Sequence, residues 1–141
     1  MCQSTSNWGH SSCALGRLTY TSGIHRFHFI VFYDMAFIGI LPASITPERS
    51  MMGSYFDTCG THGWWIDDHV YMNGKMIKRQ WTNAKENVIY ELILDCDQRR
   101  LGIRNNTMAT YECMDMNSAH AACPWRLLVG VRGDSNRLIL L

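Results

Sequence analysis

Glu91, Asp95 and Asp97 are the residues whose type and spacing come nearest to catalysis. In an extended strand, positions separated by an even number share a face, so all three would point one way. Two carboxyls about 5 to 9.5 Å apart across an open cleft are the apparatus of glycoside hydrolysis. The 91/95/97 spacing lacks the compact glutamate–aspartate–glutamate pattern of sandwich glucanases. Asp95 and Asp97 read more simply as turn-forming residues. Asp67 and Asp68 could meet a cation or a basic peptide side chain. Calcium needs six to eight oxygens, and no loop of that pattern surrounds them. They read as a solvated turn.

Nor do the other reactive types assemble. His25 and His28 lie three apart on a strand, on opposite faces, which excludes a simple chelating pair. His62, His69 and His120 are distant from one another, and no local Cys–His motif accompanies them. Cys2, Cys13, Cys59, Cys96, Cys113 and Cys123 include no C-x-x-C pair, so zinc is not indicated. They read as reduced thiols, several of them core residues. The expectation is a chain without catalysis, cofactor or metal.

Aromatic residues point instead to recognition. Trp64 and Trp65 are adjacent, so in a strand they face opposite ways. Trp64 is expected in the core. Trp65 is expected at the surface as a hot-spot candidate, or beneath a neighbouring loop. Loop or strand-end placement selects Tyr20, Tyr33, Trp65, Asp68, Tyr71 and Arg99 as partner-binding candidates. Met51 and Met52 would either line an adaptable contact surface or fill core.

The elements that must position these residues are strands. Phe27 and Phe29 alternate with Arg26 and His28 across 25–32, the period of a half-buried strand. Short apolar runs follow at 37–40, 70–72, 88–94, 101–104, 127–131 and 137–140. Turn signals separate them, including Tyr33-Asp34, Asn73-Gly74, Asp97-Gln98-Arg99, Asn105-Asn106 and 133–136. No segment holds a capped helical period. Many short strands at modest spacing predict an all-β antiparallel sandwich or barrel. The stretch 42–61 is rich in Ser, Gly, Thr and Pro with Tyr55 and Phe56 embedded, and loops of that length are often functional. Residues 1–12 are expected to be disordered and residues 13–141 to form one domain.

Composition sets the outer bounds. The chain has 141 residues, 47% of them hydrophobic and 18% charged, enough for one substantial core. A net charge of +1, with no basic block, gives no attraction to nucleic acid or membrane. The opening residues lack the pattern of a signal peptide. A soluble, cytoplasmic protein is expected.

Four pieces in order resemble a SPRY domain, from about Gly16 to Leu141. Tyr20-Thr21-Ser22-Gly23-Ile24-His25-Arg26-Phe27 is similar to the family's aromatic-Ser-Ser-Gly-x-His-aromatic lead into an early core strand. Gly63-Trp64 followed by Tyr71-Met72-Asn73-Gly74 resembles its glycine–tryptophan strand and hairpin. Val88-Ile89 through Leu94-Asp95-Cys96-Asp97 and Leu101 resembles its V-I-x-x-x-L-D-x-D segment. Cys123-Pro124-Trp125 before Leu127-Leu128-Val129 resembles its closing unit. The sequence departs from the family pattern at Glu86-Asn87, where Gly-Asp is usual, and at Leu15, where an arginine is often found. The family's first strand, upstream of Trp8, is short or missing.

This resemblance implies a two-sheet antiparallel β-sandwich, concanavalin-like, with SPRY topology. It further implies a non-catalytic module recognising a short peptide or protein loop through loops at one end, within a larger scaffold or ubiquitin-ligase-type protein. A carbohydrate-binding lectin is the alternative, and a sandwich glycoside hydrolase the weaker one.

Overall fold

The computed structural model describes residues 2–3, 11–32, 36–47, 56, 58–66, 69–78, 88–107, 109–116, 124–132 and 137–141. These carry twelve strands: β1 (Cys2–Gln3), β2 (Ser11–Leu15), β3 (Ile24–Phe32), β4 (Ala36–Pro42), β5 (His62–Trp65), β6 (His69–Met72), β7 (Lys75–Lys78), β8 (Val88–Asp95), β9 (Arg100–Asn105), β10 (Thr110–Asp115), β11 (Trp125–Arg132) and β12 (Arg137–Leu140). One sheet, here sheet A, has the order β1-β12-β3-β8-β9-β10; sheet B has the order β2-β11-β4-β5-β6-β7. All strand pairs are antiparallel. The expected all-β sandwich is what the chain forms.

Each sheet gives one face to the main core. Phe29 and Val31 of β3, Tyr90, Leu92 and Leu94 of β8, and Leu101 and Ile103 of β9 meet Ile38 and Ile40 of β4, Trp64 of β5 and Trp125 of β11. The alternation across 25–32 is therefore the alternation between this core and the outer face. Trp64 is fully buried here, on the opposite face of β5 from Trp65.

β4 is buried along its whole length because sheet B is covered on its outer face as well. There Phe37, Leu41, Phe56, Trp65, Tyr71 and Leu128 form a second apolar cluster. Phe56 comes from the long connection between β4 and β5 and packs its ring 4.2 Å from that of Phe37. Glycines make the room. Gly39 and Gly63 face each other across β4 and β5, and a Cβ on Gly63 would stand 2.5 Å from Ile38 O and 2.8 Å from the Phe37 ring. A Cβ on Gly130 would overlap the Phe56 ring.

Local turns follow their residues. Asn73 and Gly74 both have positive φ, 54° and 76°, the requirement of a two-residue type I′ hairpin, and they join β6 to β7. β1 and the first residues of β2 lie in the segment expected to be disordered, and there the structure differs from expectation: Cys2–Gln3 pairs with β12, and Ser11 and Ser12 pair with β11.

Candidate functional site

Three segments converge at one end of the sandwich. The link from β2 to β3 bridges Trp125: Tyr20 N donates to Trp125 O at 2.8 Å, and Trp125 N to Tyr20 O at 3.0 Å. The Tyr20 ring then packs 4.6 Å from His25 and 5.2 Å from Phe27. His25 is fixed in turn, its Nε2 lying 2.7 Å from Ser22 O.

The turn between β8 and β9 is laced to the same link. Cys96 N donates to Gly23 O at 2.9 Å, and Gly23 N donates to Asp97 Oδ1 at 3.1 Å. Within the turn, Gln98 N donates to Asp95 Oδ1 at 2.9 Å. Arg99 closes it with a φ of 54°, and its carbonyl accepts from Met116 N. That backbone carries the Arg99 guanidinium to 5.9 Å over the Trp125 ring, within cation–π range.

Of the six sequence-selected residues, this end therefore gathers Tyr20, bonded to the Trp125 backbone, and Arg99, over the Trp125 ring. Trp65 and Tyr71 lie elsewhere. Both are buried in the second cluster on sheet B, 4% and 6% exposed. The Phe56 ring packs 5.0 Å from that of Trp65, and the Arg132 guanidinium lies 5.0 Å from the centre of the Trp65 ring. Of the two expectations for Trp65, the structure has the covered one, and its ring is not offered at the surface. Tyr33 and Asp68 lie outside the described residues, as do Asp67, Met51 and Met52.

The carboxylates that suggested hydrolysis have local partners. Glu91 bonds Arg26, Asp95 caps the β8–β9 turn and Asp97 holds Gly23. Asp97 also lies beyond the end of β8, so the shared strand face expected for all three is limited to Glu91 and Asp95. Among the described residues, no group of three His, Cys, Asp or Glu side chains could hold a metal ion. His62 is buried with Nδ1 2.9 Å from Gly60 O. Burial pushes its imidazole below the ordinary histidine range, and the Gly60 contact partly counters that.

Trp125 is the residue that sequence reasoning missed as the centre of this end. Its signal was the Cys123-Pro124-Trp125 unit ahead of a strand, which served as a family resemblance and not as a site.

Among solved structures, the PSpry domain of TRIM65 superposes with a TM-score of 0.68 at 10% identity, over 92% of this chain and 70% of that one. The SPRY domain of human HERC1 superposes with a TM-score of 0.66 at 12% identity, over 94% of this chain and 82% of that one. The fold is that of a SPRY domain. No protein-family model matches the sequence, and no curated protein does. At such identities the likeness lies in the SPRY architecture rather than in any shared set of surface residues.

Proposed function

We propose that this SPRY-fold chain is a non-catalytic protein-interaction module holding a short peptide or protein loop at the Tyr20–Trp125–Arg99 end of the sandwich. The supporting observation is that convergence: segments remote in sequence tie the Tyr20 backbone to Trp125 and bring the Arg99 guanidinium over the same buried ring. Tyrosine, tryptophan and arginine are the residue types that most often dominate interfaces. The backbone there is tied by hydrogen bonds across three segments, so little ordering cost opposes binding. Likeness to the SPRY domains of two other proteins is consistent with an interaction role; a place within a larger scaffold or ubiquitin-ligase-type protein is part of what we propose.

The test is selection from a displayed random-peptide library on the full chain, repeated on a folded Tyr20→Ala, Arg99→Ala double variant. We expect a peptide motif enriched by the wild type and lost by the variant. A motif retained by the variant would move the binding surface elsewhere. Failure to enrich any motif would overturn peptide recognition.

A further inference from the structure

The strand edges of the two sheets are not alike. At one side β1 has two residues and lies against β2, so the sheets close on each other there. The β7 edge carries Lys75 and Lys78 within four residues, a charge pattern that keeps other strands away. β10 has neither device. It runs six residues, Thr110–Asp115, without Lys or Pro. It pairs with β9 at every position from Thr110↔Asn105 to Asp115↔Arg100 and forms the end of sheet A.

The phase of the ladder fixes which backbone groups β10 turns outward. Met116 N donates to Arg99 O at 2.8 Å. In the alternating antiparallel pattern, Met114, Glu112 and Thr110 then also turn their N–H and C=O toward β9. Tyr111, Cys113 and Asp115 turn theirs away, and among the described residues no strand meets them. Their side chains are exposed and form a low row. The Tyr111 ring lies back over Gly102, where a Cβ would stand 2.6 Å from the phenol oxygen, and its hydroxyl hydrogen-bonds the Cys113 side chain. Asp115 is paired with Arg100 at 3.1 Å. The Arg104 guanidinium, 3.6 Å from Glu91, stands 5.8 Å over the Tyr111 ring.

We propose that β10 pairs edge to edge, antiparallel, with β10 of a second copy of this chain about a two-fold axis at Cys113. A two-fold contact is self-complementary, and only a few registers overlap most of the strand. Centred on Glu112, that carboxylate faces itself, which is destabilising. Centred on Met114, Tyr111 runs past the end of the second copy's strand. Centred on Cys113, all three outward residues engage: Tyr111 faces the second copy's Asp115, Cys113 its own equivalent, and Asp115 the second copy's Tyr111. Asp115 then stands between its own Arg100 and the second copy's Arg104, which reaches over Tyr111, so the carboxylate gains a second cation across the seam. The same register sets the two Cys113 Cα atoms about 5.5 Å apart, inside the ~4.4–6.8 Å span of a disulfide. A six-residue ladder falls at the small end of interfaces, below about 1,200 Å², so the dimer dissociates on dilution.

The experiment is sedimentation velocity on the full chain, in reductant, from micromolar to near-millimolar concentration. We expect a shift from monomer toward dimer as concentration rises. Cys113→Pro should hold the chain monomeric with little change in melting temperature, because the lost N–H faces outward and proline is tolerated on such edges. Tyr111→Glu sets a second carboxylate against the second copy's Asp115; it should weaken association at least tenfold, and it serves where the proline variant does not fold. Cys113→Ser, and Tyr20→Ala with Arg99→Ala, should dimerise as wild type, which separates the seam from the thiol and from the peptide-binding end. Without reductant, diamide should join two Cys113 thiols, whose two protons and two electrons reduce it to the hydrazine, and peptide mapping should find the Cys113–Cys113 disulfide. A monomer at every concentration, a dimer unchanged by Cys113→Pro or Tyr111→Glu in folded chains, or a cross-link confined to other cysteines such as the exposed Cys59 would each overturn the proposal.

Discussion

Arg99 and Gly39 show how single backbone positions decide what this end and this sheet can do. Arg99 has the positive φ of a left-handed turn residue, a conformation that costs a non-glycine residue about 1–2 kcal/mol. Its exposed contact with Trp125 returns only about 0.5–1 kcal/mol. Arg99→Gly should therefore leave stability within about 1 kcal/mol of wild type, with glycine's own entropy offsetting the relieved strain. The same change should abolish capture of the selected peptides. Urea unfolding beside peptide binding checks both halves. Gly39 is the opposite case. A Cβ there would overlap His62 O on the neighbouring strand and stand 2.8 Å from the Phe37 ring. Backbone cannot yield as a flexible side chain can, so Gly39→Ala should cost about 3 kcal/mol or more, the upper range for overpacking. A urea midpoint unchanged from wild type would show that β4 and β5 separate more freely than their register implies.

At the scale of elements, alternation in the sequence made most strands legible, and the exceptions have identifiable causes. The strands around 25–32, 88–94, 101–104, 127–131 and 137–140 carry enough apolar residues on one face to declare a core side, and all of them form. β10 was not anticipated: it is an edge strand whose outward Tyr111, Cys113 and Asp115 leave Met114 as its clearest apolar signal. Which of the two expectations for Trp65 holds was also beyond sequence, since periodicity separates faces but does not say whether the connection leading into β5 folds back over one. Phe56 supplies that cover, and we expect Phe56→Ala to cost about 3–5 kcal/mol and to raise binding of an apolar dye as Phe37 and Trp65 become exposed. Loss of stability without dye binding would mean that the loop recloses over the gap. β5 carries a titrating group as well. Burial holds the His62 imidazole below its unfolded value of 6.5, so near that pH the unfolded chain binds more protons than the folded one. Stability is then full above pH 6.5 and falls as pH drops from 6.5 toward the folded value. His62→Asn, which offers an N–H near the Nδ1 position, should flatten the melting temperature between pH 7 and pH 5.5. An equal slope in both proteins would assign the acid sensitivity to other groups.

Across the whole molecule, the two faces of sheet B divide the work. One face closes the main core against sheet A, and the other is sealed by Phe56 over glycines, so sheet B is held from both sides. Among the described residues, sheet A packs one face against the core and carries the Arg26–Glu91–Arg104 ion pairs on the other. Its completion depends on pairings remote in sequence. β12 lies between β1 and β3, so the last strand in the chain joins the earliest ones, and its Leu138 is 2% exposed within the core. Ladders of such sequence separation must overcome loop-closure entropy before they are rewarded, and they fold in roughly milliseconds to seconds. Truncation after Arg132 would leave the β3 edge open and the core without Leu138, a loss that alone approaches the ~2–5 kcal/mol of a buried leucine deletion. Against a domain stability of about 5–15 kcal/mol, removal of the whole strand should abolish the cooperative thermal transition seen by circular dichroism. A shortened chain that still melts cooperatively would make β12 an appended strand, and would place the folding unit between β2 and β11.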